Sequence, residues 1–434
     1  MLSVLALVLF GLVMVYSTSS VNAISEGGVG YKYIIRQLAY VALGVILALV
    51  VYRGIPYYAW RYKPLWIAWG VSMVLLALVP LIGTENYGAK RWLGIGEVLT
   101  IQPSEFVKIS LLLFTAKVID SMRAGDVERR AAAIQIVLCV VLPALFLYKT
   151  QSDLGTTAII AVGVVAVLWL GDIPLKVVFA ILAAGVAMVV FSIVGTDYRS
   201  GRMVFLDPWN DGADGYGDGY NIIRSYYAIA EGGVLGAGLG NSHEKYQYLF
   251  ASESDFIYAI IAEELGLIGA LAIIALFLVF LVSGLRIAAG APDDLGRMIA
   301  GGCTIMIVFQ AFLNIGCVIG VFPTTGKPLP FVSMGGSSMM SSMIMVGLIL
   351  SVAKGAGETS VYERRREDLR VIRAHEPYAS AAPAQRGQSF RPQAYDPRVR
   401  APYASPSQAP SARPYSTKQR DAYARSTYRS VPRR

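Results

Sequence analysis

Ten long apolar runs, separated by polar segments, constrain the fold of this chain more than any other feature of its sequence. They cover approximately residues 2–17, 34–52, 65–83, 105–122, 131–148, 155–171, 174–195, 256–285, 297–322 and 334–353. A helix needs about 17–25 mostly apolar residues to cross a bilayer. The sequence therefore predicts an all-α polytopic membrane protein with about ten transmembrane helices and a large extracytoplasmic loop, residues 195–254, before helix eight.

The charge of the chain is concentrated in its last part. Only 15% of the residues are charged, whereas about 25% is usual for a soluble domain. Residues 355–434 contain 16 Lys and Arg against 7 Asp and Glu, which accounts for the whole net charge of +9. This part is rich in Pro, Ser and Arg and poor in large aliphatic residues, so we expect a disordered tail. We predict a transmembrane domain over 1–354 and a basic cytoplasmic tail over 355–434.

Positive charges in the short connecting segments predict the orientation of the chain, since Lys and Arg favour the cytoplasmic side. With the N-terminus inside, ten Lys and Arg lie in inner segments and five in short outer ones. Both termini are therefore expected in the cytoplasm. Three long segments, Thr84–Ser104, Gly195–Ser254 and Pro323–Ser333, then share the outer face, where we expect a functional site.

Three acids mark that site in the sequence. Asp255 stands where the long outer segment enters an apolar helix, and Glu263 and Glu264 lie deeper in the same run. Acids at membrane depth are costly, so they usually face a cavity and often mark function. Asp255 is our candidate catalytic residue, and Glu263 and Glu264 are candidates for a cavity or structural role.

A second candidate group consists of Lys90, Arg91 and Trp92 together with Glu105 and Lys108 at the start of the next predicted helix. Lys108 lies three residues after Glu105, so the two can pair on one helix face. One interpretation is a structural ion pair at a capped helix start. The other is a cationic site for a lipid phosphate, made by Lys90, Arg91 and Lys108 with Trp92 at the interface.

Two further segments belong to the same predicted face. Asp153 opens a helix, either as its N-cap or as part of a cavity wall. The run from Pro323 to Ser338 contains Lys327 and Ser333 among prolines and glycines, which predicts irregular backbone that is buried in protein or lines a cavity.

The sequence contains little evidence for a metal site or a structural disulfide. The three cysteines lie in apolar segments, which favours buried thiols over a structural disulfide, and two histidines are too few for a histidine-based site. Asp211, Asp214 and Asp218 lack the spacing of a calcium-binding EF-hand loop. The glycines of residues 232–240 do not follow the dinucleotide-binding pattern, and tight turns close to a substrate or to other helices explain them better.

Taken in order, these motifs resemble the SEDS family (shape, elongation, division and sporulation), the FtsW/RodA group, over about residues 2–352. The segments that carry the resemblance are 88–93, 102–108, 151–156, 205–209, 255–266 and 323–338. The resemblance implies a peptidoglycan glycosyltransferase that polymerises lipid II at the outer face of the bacterial cytoplasmic membrane. It also implies that Asp255 is the essential acid of the family. Residues 11–17 and the long basic tail are more similar to the division branch, FtsW, than to the elongation branch, RodA.

In that reaction a sugar hydroxyl attacks an anomeric carbon that bears undecaprenyl pyrophosphate. Asp255 would act as the general base. The anionic leaving group needs nearby cations, for which the candidates are Lys90, Arg91, Lys108, Arg199 and Arg202. The predicted substrate- and pyrophosphate-binding group also includes Trp92, Glu105 and Ser333. A divalent cation, Mg or Mn, could assist, with unknown ligands, and no organic cofactor is expected.

The resemblance implies a class B penicillin-binding protein, a transpeptidase, as the partner, together with other divisome proteins and no nucleic acid. Three alternatives stay open. The chain could be a flippase that moves lipid II, an elongation polymerase similar to RodA, or a non-catalytic scaffold. We see no internal inverted repeat of the kind common in transporters, which favours the enzyme.

Overall fold

The structure, a computed structural model, describes residues 1–25, 31–86, 89–95, 99–181, 183 and 201–375. Most of these residues are helical. The ten helices named below are α1 (Leu2–Ser25), α2 (Lys32–Gly54), α3 (Lys63–Ile82), α4 (Pro103–Arg123), α5 (Arg129–Gln151), α6 (Leu154–Leu170), α7 (Tyr220–Gly232), α8 (Ile257–Ala289), α9 (Asp294–Val318) and α10 (Gly336–His375). The structure also has two 3₁₀ turns, Tyr57–Arg61 and Gly201–Leu206, and α5 contains a π turn at Val137–Val141.

Seven of these helices are long and apolar enough to cross a membrane: α1, α2, α3, α5, α8, α9 and the first part of α10. The predicted polytopic helical fold is confirmed. α4 coincides with a predicted span but carries more charge, and α6 is apolar but only 17 residues long. The run at 174–195 is described only in part, as helical residues 175–181. The total of ten spans therefore stays a prediction.

A small antiparallel sheet joins α3 to α4, and the sequence did not predict it. Its strands are β1 (Thr84–Asn86), β2 (Ala89–Ile95) and β3 (Leu99–Ile101), in the order β1-β2-β3. Leu93 pairs with Ile101, and Thr84 pairs with Trp92. Each edge strand has only three residues, too few for a period-two pattern to be recognised. The sheet fixes the position of β2 beside the start of α4.

The long segment before α8 is not irregular throughout. It contains α7, whose C-terminal glycine packs directly against α8, since a Cβ on Gly232 would lie 1.9 Å from the carbonyl oxygen of Ala262. The glycine-rich run that follows α7 comes equally close to this helix. The predicted tight turns next to other helices are confirmed here.

Helix α8 is broken at Gly266, which has φ 67° and ψ −167°. The break leaves carbonyl groups of the preceding turn without partners in the helix. The amides of Ala237 and Gly238 donate to the carbonyls of Glu263 and Glu264, both at 2.9 Å. A Cβ on Gly236 would lie 2.2 Å from the carbonyl oxygen of Glu264. Glycine is required here because another chain segment supplies the missing hydrogen bonds.

α9 forms the centre of the bundle, with most of its side chains buried against α8, α6 and α4. At one end of the bundle Arg61 pairs with Asp120 at 2.7 Å and with Asp293 at 2.8 Å. The other end carries the sheet, Asp255 and the segment between α9 and α10. The last helix continues to His375, past the expected boundary at residue 354. The tail over 376–434 lies outside the described residues.

Candidate active site

Asp255 lies immediately before α8, where a turn enters the helix. Its carbonyl oxygen accepts a hydrogen bond of 2.8 Å from the side-chain amide of Asn314, on α9. The same amide donates to the carbonyl of Lys327, also at 2.8 Å. Asn314 thus ties the Asp255 turn and the segment between α9 and α10 to one point of the central helix.

The segment from Pro323 to Ser333 has no regular secondary structure, and its residues 329–333 are buried. Ser333 Oγ donates to the carbonyl of Ser254 at 2.5 Å and accepts from the amide of Leu329 at 2.8 Å. The predicted irregular and buried backbone is confirmed. In this arrangement Ser333 holds the segment against the turn that contains Asp255.

The carboxylate of Asp255 has an unusual electrostatic environment. A Cβ built on Gly326 would lie 3.7 Å from Asp255 Oδ2, so the irregular segment passes directly beside it. Burial raises the pKa of Asp255 from 3.8 to about 6; Glu253 adds to this rise, whereas Lys327 and Arg91 act against it. A carboxylate with a pKa near 6 is ionised at neutral pH but is a stronger base than an ordinary aspartate.

Next to Asp255 lies a sealed network of four charged side chains. Lys327 Nζ is 2.7 Å from Asp153 Oδ2 and 4.0 Å from Glu105 Oε1, and Lys108 Nζ is 2.6 Å from Glu105 Oε2. All four residues are at most 2% exposed. Two acids and two bases balance, as buried charges must.

Neutral groups complete this network. Gln310 Oε1 accepts from Lys108 Nζ at 2.7 Å, and Ser341 Oγ donates to Glu105 Oε2 at 2.9 Å. Asp153 also accepts from the amide of Thr156 at 2.9 Å. Asp153 is therefore the N-cap of α6, as one interpretation predicted, and at the same time the ion-pair partner of Lys327. Its place in a cavity wall stays a prediction.

Arg91 links the sheet to the same end of the bundle. Its guanidinium donates to the carbonyls of Gln151 and Ser152, at 2.9 and 3.1 Å. On the neighbouring positions of β2, Lys90 is exposed and Trp92 is half-buried. The strand thus presents one exposed cation and one held in place by backbone carbonyls.

Comparison with known proteins decides the family. Residues 1–357 match the FtsW/RodA/SpoVE family of cell cycle proteins. The chain belongs to this family.

Its relatives in this family align over most of their length. The stage V sporulation protein E of Bacillus subtilis is 37% identical over 353 residues, which cover 81% of this chain and 94% of that protein. A protein of Trichlorobacter lovleyi named probable peptidoglycan glycosyltransferase FtsW is 38% identical over 360 residues, covering 82% of this chain and 92% of the relative.

Solved structures agree with this assignment. A peptidoglycan synthase complex described as coordinating polymerization and crosslinking contains a similar chain, with a TM-score of 0.62 and 27% identity over 82% of this chain and 96% of that one. The rod shape determining protein RodA of Thermus thermophilus gives a TM-score of 0.58 at 25% identity, over 81% of this chain and 95% of RodA.

In this member of the FtsW/RodA/SpoVE family, the two deeper acids form a separate cluster. Glu263 accepts from Ser242 Oγ at 2.6 Å and from the amide of His243. Glu264 pairs with Lys245 at 2.9 Å and accepts from Ser17 Oγ at 2.7 Å. These contacts attach the segment before the turn to α8 and to α1. Glu263 and Glu264 therefore hold this segment in place.

Two candidate cations from the long segment are not placed by the structure. Arg199 lies outside the described residues. The backbone of Arg202 belongs to the turn Gly201–Leu206, and its side chain also lies outside the described part. Their expected contact with a phosphate stays a prediction.

Sequence analysis missed the two amides of α9 that organise the site, Gln310 and Asn314. They are four residues apart, so they lie on the same face of the helix. Two amides on one face of an otherwise apolar membrane helix are a usable signal. Lys245 gave no comparable signal, because a lone lysine in a polar segment is ordinary.

Proposed function

We propose that the protein is a peptidoglycan glycosyltransferase that polymerises lipid II into glycan strands, with Asp255 as its general base. The observation that carries this proposal is the position of the Asp255 carboxylate at one end of a membrane bundle, beside the irregular segment and close enough to Lys327 and Arg91 to feel their charge, with its pKa raised by burial. Membership of a family whose curated relatives are named probable peptidoglycan glycosyltransferases supports it. The active site would face the outside, with both termini in the cytoplasm.

The proposed reaction begins with the 4-hydroxyl of an acceptor sugar. Asp255 takes the hydroxyl proton as the oxygen forms a bond to the anomeric carbon of the donor. The bond from that carbon to the undecaprenyl pyrophosphate breaks, and the pyrophosphate leaves with the electron pair. Because burial raises the pKa of Asp255 to about 6, the carboxylate is available at neutral pH and is basic enough to accept the proton.

The charge of the leaving pyrophosphate needs cations that are accessible from solvent. Lys90 is exposed and Arg91 is half-buried, so we propose that they contact the phosphates directly, with Trp92 beside them and with Arg199 and Arg202 from the long segment. Lys108 and Glu105 are fully buried and paired. We assign them an indirect part: with Asp153 and Lys327 they maintain the field around Asp255, and Ser333 positions its turn.

A divalent cation is a further part of the proposal, supported by the charge of pyrophosphate rather than by the protein. Among the described residues no group of three or more His, Cys, Asp or Glu could hold a metal ion. The side chains thus do not fit a metal cage, and Mg or Mn would enter with the phosphates, which are its usual ligands in such sites. No step of the mechanism passes through this ion.

We also propose a transpeptidase of the class B penicillin-binding type as the partner and septal wall synthesis in division as the cellular role. The solved synthase complex and the several relatives named FtsW support these assignments. Depletion of the protein should then give filaments with unfinished septa. Rounded cells would instead indicate elongation, the role implied by likeness to RodA.

The test of the activity is a glycan-chain assay with purified lipid II. Wild type, Asp255→Asn and the control Asp126→Asn, an exposed acid outside the site, are each co-purified with the transpeptidase. Wild type and Asp126→Asn should make glycan strands, and Asp255→Asn should make none. Polymer from Asp255→Asn would refute the assignment of the base. Transport of fluorescent lipid II by the wild type without any polymer would establish the flippase instead.

A further inference from the structure

A groove that the proposed mechanism does not use lies on the segment before α8. Its volume is about 320 Å³, and it is lined by Tyr216, Gly217, Asp218, Tyr220, Asn221 and Phe250. Ligand sites of proteins fall in the range of about 300–1,000 Å³. The groove is therefore large enough for a small organic group.

Three aromatic rings form one wall of this groove. The rings of Tyr216 and Tyr220 are stacked with centroids 6.3 Å apart, and those of Tyr220 and Phe250 are 5.7 Å apart. Tyr216 is 82% exposed and Phe250 is 62% exposed. Contiguous exposed rings with polar groups at their edge mark binding surfaces.

The wall is fixed before any ligand arrives. The carboxylate of Asp211 accepts hydrogen bonds of 2.8–3.1 Å from four backbone amides, those of Ala213, Gly215, Gly217 and Gly219. These bonds hold the pKa of Asp211 at about 2. The loop that carries Tyr216 and Asp218 is thereby closed on itself.

The Tyr220 ring of this wall is also held by a cation behind the groove. The guanidinium of Arg224 lies 5.9 Å from the ring centre of Tyr220 and 4.6 Å from that of Tyr248. Arg224 also pairs with Glu244 at 2.8 Å. A preformed site of this kind binds its ligand with a smaller entropic cost.

The chemistry of the groove selects its ligand. Flat rings accept the C–H faces of a ring that is apolar on its faces and polar at its edge. Asp218 can accept hydrogen bonds from hydroxyl groups, and Asn221, whose Oδ1 accepts from the amide of Phe250 at 3.3 Å, can donate from its amide group. Asp218 disfavours a phosphate, and both polar groups disfavour an isoprenoid chain. A saccharide satisfies the rings, the acid and the amide together.

We propose that this groove is a saccharide subsite that holds sugar units of the growing glycan strand. The proposal rests on the proposed polymerase function. Phe250 precedes Asp255 by five residues, which span at most about 18 Å when extended. The amides of Ser254 and Phe256 both donate to the carbonyl of Ala251, so the path is shorter still. The subsite thus lies within a few sugar units of the proposed base.

The first experiment measures binding without catalysis. Full-length protein in detergent is titrated with chitotetraose, a β-1,4-linked N-acetylglucosamine tetramer, by isothermal titration calorimetry. The variants are Tyr216→Ala, Phe250→Ala and the control Tyr246→Ala, which removes an exposed tyrosine of the same segment that does not line the groove. Each of the first two should weaken binding about tenfold, the loss expected for one aromatic contact. Tyr246→Ala should bind as the wild type does.

The second experiment measures glycan length with the same variants, lipid II and the co-purified transpeptidase. Tyr216→Ala and Phe250→Ala should make shorter strands than the wild type and the control Tyr246→Ala. Absence of chitotetraose binding to the wild type would overturn the subsite even if polymerisation proceeds. Loss of transpeptidase co-purification with unchanged sugar binding in the variants would overturn it in favour of a protein interface. A wild type that binds sugar but makes no polymer would leave the binding site in place and refute the polymerase function.

Discussion

Replacement of Asp255 by Asn should abolish polymerisation and at the same time stabilise the fold. Burial raises the pKa of Asp255 from 3.8 to about 6, which means that the folded protein stabilises the negative charge of the carboxylate less than water does. One pKa unit corresponds to 1.36 kcal/mol, so a rise of about two units costs about 3 kcal/mol at neutral pH. The carboxylate keeps some contact with solvent, which makes this an upper limit.

The size of this cost depends on pH in a defined way. Below pH 3.8 the acid is protonated in both states and contributes nothing. Between pH 3.8 and about 6 the unfolded chain loses its proton while the folded protein keeps it, so stability falls as pH rises. Above pH 6 the full cost is present. Asp255→Asn should therefore raise the midpoint of thermal unfolding at pH 7.5 and leave it unchanged near pH 3.5.

Thermal unfolding in detergent at these two pH values tests the reasoning, with intrinsic fluorescence as the signal. A lower midpoint for Asp255→Asn than for wild type at pH 7.5 would refute it, because the charge would then be stabilised by Lys327 and Arg91 rather than penalised by burial. The wild-type kcat/KM for polymerisation should fall as pH drops through about 6, since the base becomes protonated. An activity that is flat down to pH 5 would exclude Asp255 as a general base with this pKa.

Three further changes test the surroundings of the site. Lys327→Met leaves Asp153 buried without its partner and should cost about 3–5 kcal/mol, and adding Asp153→Asn should recover a large part of the loss in a double-mutant cycle followed by thermal unfolding. Gly266 has φ 67°, and a Cβ there would lie 2.4 Å from the amide nitrogen of Gly236, so Gly266→Ala should strongly reduce yield and thermal stability. The control Gly70→Ala adds a Cβ with no atom within 4 Å and should be neutral or slightly stabilising. Asp211→Asn should destabilise the protein at pH 7, with the difference shrinking as pH falls through about 2, because the pKa of Asp211 is lowered by four amide hydrogen bonds; equal midpoints at pH 7 would show that these bonds do not hold the loop.

The sequence predicted the helices well because a membrane helix is encoded locally, by the length and polarity of a single run. It also predicted that Asp255 and the Pro- and Gly-rich segment near Lys327 share one end of the bundle. The sheet was missed because its edge strands are too short to show a pattern. The pairing of Lys327 with Asp153, 174 residues away in the chain, was missed because the sequence around either residue does not indicate which distant residue it contacts.

The broken helix explains how a single acid can be held at the edge of a hydrophobic bundle. In a continuous α8 the backbone carbonyls would accept hydrogen bonds from amides of the same helix. None would then be free to bind the segment that precedes α8. The break at Gly266 leaves the carbonyls of Glu263 and Glu264 without partners in the helix, and amides of the glycine-rich run donate hydrogen bonds to them. The side chains of the same two acids bind Ser242 and Lys245, which follow that run in the chain. The chain between α7 and Asp255 is thus fastened twice to the helix that begins just after Asp255. Asn314 and Ser333 fasten the turn itself from the other side. The position of the Asp255 carboxylate is therefore set by the backbone on both sides of it, which is held in place by these contacts. The buried ions nearby affect the ionisation of the carboxylate rather than its position.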